Sequence, residues 1–193
     1  MESLVEKKKY TYAEYLQLEK ETDVRYEFWN GEVFAMAGTS KGHNDIVANI
    51  NGFLRNHYKP RGCSVHSESV KLELEKENYY VYPDLILSCD NADKTDDYLI
   101  KNPSLIVEVL SPSTESYDRR VKLERYRKIK SLKYCLLVSQ SSPFVEIFGR
   151  TNESDLFTYD SAAGLDAIIQ LPLLDFTFPM SKVYEYIEFG EEK

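Results

Sequence analysis

At 193 residues, 42% of them hydrophobic and 29% charged, the chain has the size and composition of one globular domain with a substantial core. Its net charge of −8 argues against a protein whose whole surface coats nucleic acid. No apolar run approaches the roughly 20 residues that span a bilayer, so no membrane partner is expected. The opening MESLVEKKKY has lysines but no apolar stretch after them, so it does not read as a secretory signal. Cys63, Cys89 and Cys135 are isolated and lack metal-ligand spacing, and they read as reduced thiols of a cytoplasmic protein.

Thr11 followed by Glu14 is a capping-box pattern that predicts a helix over Tyr12 to Leu18. RYEFW and EVFAMA are separated by Asn30-Gly31, a strong hairpin signal. Ser40 caps a predicted helix running to Tyr58, with Ile46, Val47, Ile50, Phe53 and Leu54 on its core face and His43 on the same side. From Cys63 to Glu75 apolar and polar residues alternate as in a half-buried strand, and this parity points Glu68 inward beside Val70. YYVYPDLILS predicts the next strand, with Asp84 on the face of Tyr82 and Ile86 and a bend at Pro83. An acidic loop, Asn91 to Asp97, leads to the strand Leu105 to Leu110. A Ser-Pro-Ser-Thr turn, a helix over Tyr117 to Lys130 and the apolar strand Tyr134 to Ser139 follow. VEIF and LFTY predict a further strand pair, LPLLDFTFP an extended segment, and SKVYEYIEF a closing helix.

This order predicts an α/β (α+β) fold with a mixed central sheet flanked by helices. The whole chain, 1–193, reads as a single domain: a helix and hairpin over 11–37, a core over 40–140, and C-terminal strands and a helix over 144–190.

Chemistry enters through acids in the wrong places. Glu108 stands in the aliphatic run LIVEVL, where an ionised carboxylate costs several kcal/mol unless it is paired, protonated or metal-bound. Glu68, Asp84 and Glu108 point inward from three consecutive strand-like segments. Converging carboxylates repel unless a proton or cation lies between them, and a hard cation such as Mg²⁺ prefers oxygen ligands. At 100° per residue, Lys122 lies within roughly 15° of the apolar direction set by Val121, Leu123, Tyr126 and Ile129. Arg120, Arg127 and Lys128 lie on the far side, within a cluster of eight basic residues from Arg119 to Lys133. Such a cluster reads either as a solvated face or as a phosphate-contacting one. A core-facing ammonium needs an anion, and Glu108 is on the strand just before it; Asp118 sits one turn before Lys122. Inward carboxylates with an inward lysine match metal-assisted hydrolysis of a phosphodiester.

YPDLIL, LIVEVLSPST, YDRRVKLERYRK and KYCLLV, together with RYEFWNGEVFAMAGTSKGHNDIVANI upstream, resemble the putative restriction-endonuclease family of the PD-(D/E)XK nuclease superfamily. The resemblance implies a restriction-endonuclease-like core and divalent-metal cleavage of DNA with Mg²⁺ or Mn²⁺. By position, Pro83-Asp84 matches the PD and Glu108 the (D/E), 24 residues later, but Leu110 stands where the motif has lysine. The resemblance thus assigns the lysine role to Lys122, and accessory roles to Glu68, His43 and Glu27. On this reading Asp84, Glu108 and Glu68 bind the metal, with the carbonyl of Val109 as another ligand. His43 and Tyr126 line the cleft, Asp118 supports the lysine, and Arg119, Arg120 and Arg127 contact phosphates. A homodimer is expected, since cutting both strands calls for two copies. Two other functions fit the same residues: a nuclease-fold binding module that no longer cleaves, and a metal phosphoesterase acting on a small phosphorylated molecule.

Overall fold

The computed structural model describes residues 8–36, 38–68, 70–112, 114–151 and 156–189. The opening MESLVEK, Ser113 of the Ser-Pro-Ser-Thr turn and residue 190 lie outside them. In chain order the elements are α1 (Tyr12–Thr22), β1 (Tyr26–Trp29), β2 (Glu32–Ala35), α2 (Lys41–Tyr58), β3 (Ser64–Ser67), β4 (Lys71–Glu75), β5 (Tyr79–Val81), β6 (Leu85–Ser88), β7 (Leu99–Ile100) and β8 (Leu105–Leu110). A helical segment follows, with α3 (Glu115–Tyr117) and α4 (Leu123–Tyr126) joined by a π-helical turn over Asp118–Lys122. The chain then forms β9 (Tyr134–Ser139), β10 (Phe144–Arg150), β11 (Phe157–Ala163), β12 (Ile168–Leu171), β13 (Phe176–Pro179) and α5 (Met180–Val183).

The local signals act where they stand. Thr11 accepts from the Glu14 amide while the Glu14 carboxylate accepts from the Thr11 amide, and α1 runs on past Leu18 to Thr22. Asn30 and Gly31 both take positive φ, 48° and 81°, as a two-residue turn between β1 and β2 requires. The Ser40 hydroxyl caps α2 by accepting from the His43 amide.

Two sheets form. The larger has the order β11-β10-β9-β8-β6-β3, antiparallel except for β8 beside β9. The second has the order β2-β1-β5-β4-β7. Alternating side chains of β8 serve two cores: Leu105, Val107 and Val109 pack with α2 and the C-terminal β12–β13 region, while Ile106 and Leu110 pack with Leu72, Tyr79, Leu123 and Tyr126. Glu108 shares the parity of Ile106 and Leu110, so its carboxylate enters the layer between the large sheet and α4.

The expectation of one strand from Cys63 to Glu75 is corrected. The chain leaves the large sheet after Ser67 and joins the second as β4, and Glu68 sits in the crossing with φ 49°. YYVYPDLILS likewise divides into β5 and β6, in different sheets, around Tyr82, Pro83 and Asp84. A proline without an N–H suits such a transfer, because the ladder stops there. The Glu68 amide donates to the Asp84 carbonyl at 3.2 Å, so the two crossings are tied together. Both acids therefore owe their positions to the split between sheets and not to strand alternation.

Other differences are smaller. The helix expected over Tyr117 to Lys130 starts earlier and ends at Tyr126. LPLLDFTFP supplies the second half of the β12–β13 hairpin, and the closing helix is limited to Met180–Val183. VEIF and LFTY do pair, as parts of β10 and β11. Cys63 and Cys89 are joined in a disulfide between the residue before β3 and the residue after β6, which overturns the reduced-thiol expectation for that pair; Cys135 is free and buried. Among the described residues no helix is long and apolar enough to cross a membrane.

Candidate active site

Where β6 begins and β8 ends, two polar clusters meet on the floor of a cleft of about 570 Å³. The first surrounds Lys122, whose Nζ lies 2.8 Å from Glu27 Oε1, 3.3 Å from Glu108 Oε1 and 3.3 Å from Asp118 Oδ1. All four groups are buried: Lys122 is 7% exposed and Glu108 3%. Each acid comes from a different element: β1, β8 and the π turn that carries the lysine itself. Tyr126 Oη donates to Glu108 Oε1 at 2.5 Å from beneath. Tyr126 is fully buried and takes no part in the cleft wall, so the expectation that it lines the cleft is corrected: it supports Glu108 from the core side.

The second cluster is His43, Glu68 and Asp84, whose ligand atoms all lie within 4.8 Å of one another. His43 Nε2 is 3.2 Å from Asp84 Oδ2, and the Val109 amide donates to that same oxygen at 2.6 Å. The Asp84 amide in turn points at Glu108 Oε2, 3.4 Å away, which links the clusters. Glu68 Oε1 is buried with no hydrogen-bond partner, and such an oxygen calls for a proton, a water or a cation.

Electrostatics follow from burial. Desolvation, with the charges of Asp118 and Asp84, outweighs the help of Lys122 and Tyr126 and pushes Glu108 up to about 8. Burial alone would lower Lys122, yet the carboxylates of Glu108, Glu27 and Asp118 overcome it and hold the ammonium well above its ordinary range. Burial also lowers His43, and again the acids prevail: the hydrogen bond and charge of Asp84, with the charge of Glu68, leave its pKa raised. The site as it stands is thus rich in acid and holds a proton on Glu108 near neutral pH. Its oxygen donors, with one carboxylate oxygen left without a partner, fit a hard divalent cation.

The model of the family described as "Uma2: Putative restriction endonuclease" matches residues 12–181. The chain belongs to that family. Among curated relatives, the uncharacterized protein slr1290 of Synechocystis is 30% identical over 178 residues, covering 91% of this chain and 92% of the relative. A second Synechocystis protein, the uncharacterized sll1609, is 32% identical over 145 residues, 74% of this chain and 82% of its own. The fold matches the crystal structure of a putative nuclease of DUF820 from Anabaena variabilis with a TM-score of 0.74, at 14% identity, covering 92% of this chain and 99% of that one. The fold of this Uma2 member, a mixed α/β arrangement flanked by helices, is therefore that of a nuclease-like neighbour.

Asp84, Glu108, Lys122, Asp118 and His43 come together on this floor, and Glu68 adjoins His43 and Asp84 without lining the cleft. The three arginines do not join them. Arg119 pairs with Glu115 at 2.8 Å and with Glu146, Arg127 is exposed with its guanidinium over the Phe148 ring at 5.2 Å, and Arg120 is exposed. None lines the cleft. The contributor that sequence reasoning underweighted is Glu27, which makes the shortest of the three lysine contacts; its signal was an acid inside the apolar run YEFW. The walls contributed by Phe34, Met36 and Tyr117 carried no sequence signal.

Proposed function

We propose that this Uma2 protein is a DNA endonuclease that hydrolyses phosphodiester bonds with a divalent cation, Mg²⁺ or Mn²⁺, held by Asp84, Glu108 and Glu68. The observation that carries the reading is the buried ammonium of Lys122, held among acidic side chains from three elements, on one cleft floor with Asp84, which the unpartnered Glu68 oxygen adjoins. Bound there, such a cation supplies Lewis acidity toward a phosphoryl oxygen and acidifies a water.

The chain's own residues position and hold charge. Glu27 and Asp118 fix Lys122 so that its ammonium keeps one place beside Glu108. Its raised pKa keeps it protonated, which makes it a charged hydrogen-bond donor to an attacking water or a developing oxyanion and not a general base. The Val109 amide and His43 both hold Asp84 Oδ2, which fixes that carboxylate's orientation. Tyr126 fixes Glu108 from below, leaving Oε2 as the oxygen toward the Asp84 side. Leu110 is buried in the core, so the lysine that the motif places there is supplied by the π turn instead.

The test is nicking of supercoiled plasmid in Mg²⁺ or Mn²⁺ by wild type, Asp84→Asn, Glu108→Gln and Lys122→Met. The expected result is metal-dependent nicking lowered about 100-fold or more in each variant. Equal nicking by all four would refute the assignment. Release of phosphate from small monoesters without nicking would favour the phosphoesterase, and neither activity with no divalent binding would favour a binding module.

A further inference from the structure

The cleft has a second character that hydrolysis does not use. Its charged floor is faced by an apolar rim from the β2 edge, where Phe34 and Met36 are 39% and 36% exposed. Lone exposed apolar residues are ordinary. These two differ because Phe34 stands on an edge strand and Met36 directly follows it, both line the same cleft as Asp84 and Lys122, and both belong to none of the three cores. Phe34 is the direct cross-strand partner of Glu27, the residue that grips Lys122 at 2.8 Å. Directly opposed residues project from the same face with Cβ atoms about 5 Å apart, so the phenyl ring flanks the lysine cluster.

We propose that Phe34 and Met36 form a base-stacking subsite, and that the substrate cut in this cleft is an unpaired DNA strand and not a continuous duplex. This rests on the endonuclease reading of the same site and adds the form of its substrate. Charge supports it. Duplex binders draw affinity from cations set against both backbones, whereas this floor carries Glu27, Asp84, Glu108 and Asp118 against Lys122 and His43. The chain as a whole is at −8, and Arg119, Arg120 and Arg127 lie outside the cleft lining. Affinity must then come from something other than phosphate, and stacking on an aromatic face contributes about 5- to 150-fold per base whatever the base is. Size agrees: about 570 Å³ is the volume class of a drug-sized ligand and suits a nucleotide. Met36 beside the ring adds a soft, adaptable surface, so the subsite tolerates any base.

The experiment has a binding arm and a cleavage arm. Binding uses the full chain with Asp84→Asn, so that nothing is cut, and a DNA oligonucleotide carrying one 2-aminopurine, whose fluorescence reports stacking. The same strand is offered single, fully paired, inside an unpaired bubble, and as RNA. Quenching with the single strand and bubble, tighter than the duplex by about 10-fold or more, is expected. Added to that background, Phe34→Ala weakens single-strand binding about 5- to 150-fold, while Phe34→Trp retains it. The cleavage arm, with Asp84 restored and Mg²⁺ or Mn²⁺ present, gives the same order of substrates. Equal binding to duplex and single strand, or an alanine variant that binds the single strand as well as its parent does, overturns the subsite. Tighter binding of the RNA strand overturns its assignment to DNA. Correct stacking with no cleavage of any DNA by the restored chain leaves the subsite standing and overturns the endonuclease reading.

Discussion

Glu108→Gln should make the metal-free protein more stable at alkaline pH. In the folded chain Glu108 titrates near 8, raised from 4.5 chiefly by burial. Between those values the unfolded chain has released the proton that the folded chain retains, so wild-type stability falls as pH rises from about 4.5 through about 8. At 1.36 kcal/mol per pKa unit the fall attributable to this one group is on the order of 4–5 kcal/mol, fully developed by pH 9. Glutamine matches the shape of the protonated form, can accept from Tyr126, and leaves Lys122 paired with Glu27 and Asp118. The variant should therefore equal wild type near pH 5 and exceed it at pH 9. If half of that fall is realised, the gap is about 2 kcal/mol, or roughly 4–8 °C in Tm for a chain of this length. Thermal melts of both proteins in EDTA from pH 5 to 9 measure it. A gap independent of pH, or a variant less stable at pH 9, would mean that Glu108 is ionised in the folded protein as a structural partner of Lys122, and the reasoning would fail.

Replacing Lys122 by Met strands the buried carboxylates of Glu27 and Asp118 and should cost about 3–5 kcal/mol in denaturant unfolding at pH 7; a loss under 1 kcal/mol would show the lysine to be solvated. Since Glu108 must give up its proton to hold a cation, Mn²⁺ affinity should strengthen as pH rises from 6 to 9, and calorimetry in buffers of different ionisation heat should show close to one proton released at pH 7. Flat affinity across that range would contradict the site. The Cys63–Cys89 link closes a loop of 26 residues, worth about 3.5 kcal/mol in the chain-entropy model. Reductant should thus lower the wild-type Tm by roughly 7–14 °C and leave the Cys63→Ser variant unchanged; equal response of the two would contradict the bond.

The parts of this fold that follow from neighbouring residues were readable in advance. The Thr11–Glu14 box, the Asn30-Gly31 turn and the α2 face carrying His43 are decided within a few residues, and each stands as expected. Glu108 was visible because a carboxylate among aliphatic residues has few tolerable surroundings. Lys122 was placed inward by counting 100° per residue, although the segment it belongs to is a π turn; its side chain falls on the buried side all the same. What could not be read depends on distant residues. Alternation runs on through Glu68 and through Tyr82–Asp84 while the backbone passes from one sheet to the other, and Pro83 alone hinted at it. The disulfide pairs cysteines brought together by strands β3 and β6, with no local signature. Glu27 looked like an isolated acid because its partner lies on a helical turn far along the chain.

The central claim is that the acids on the cleft floor share a cation, and its most direct test is anomalous diffraction from crystals of the protein soaked in Mn²⁺. The account predicts a peak within about 2.0–2.3 Å of oxygens from Asp84 and Glu108, with Glu68 contributing from the crossing. A fully soaked crystal with no peak at these carboxylates, or one bound only elsewhere, would contradict it.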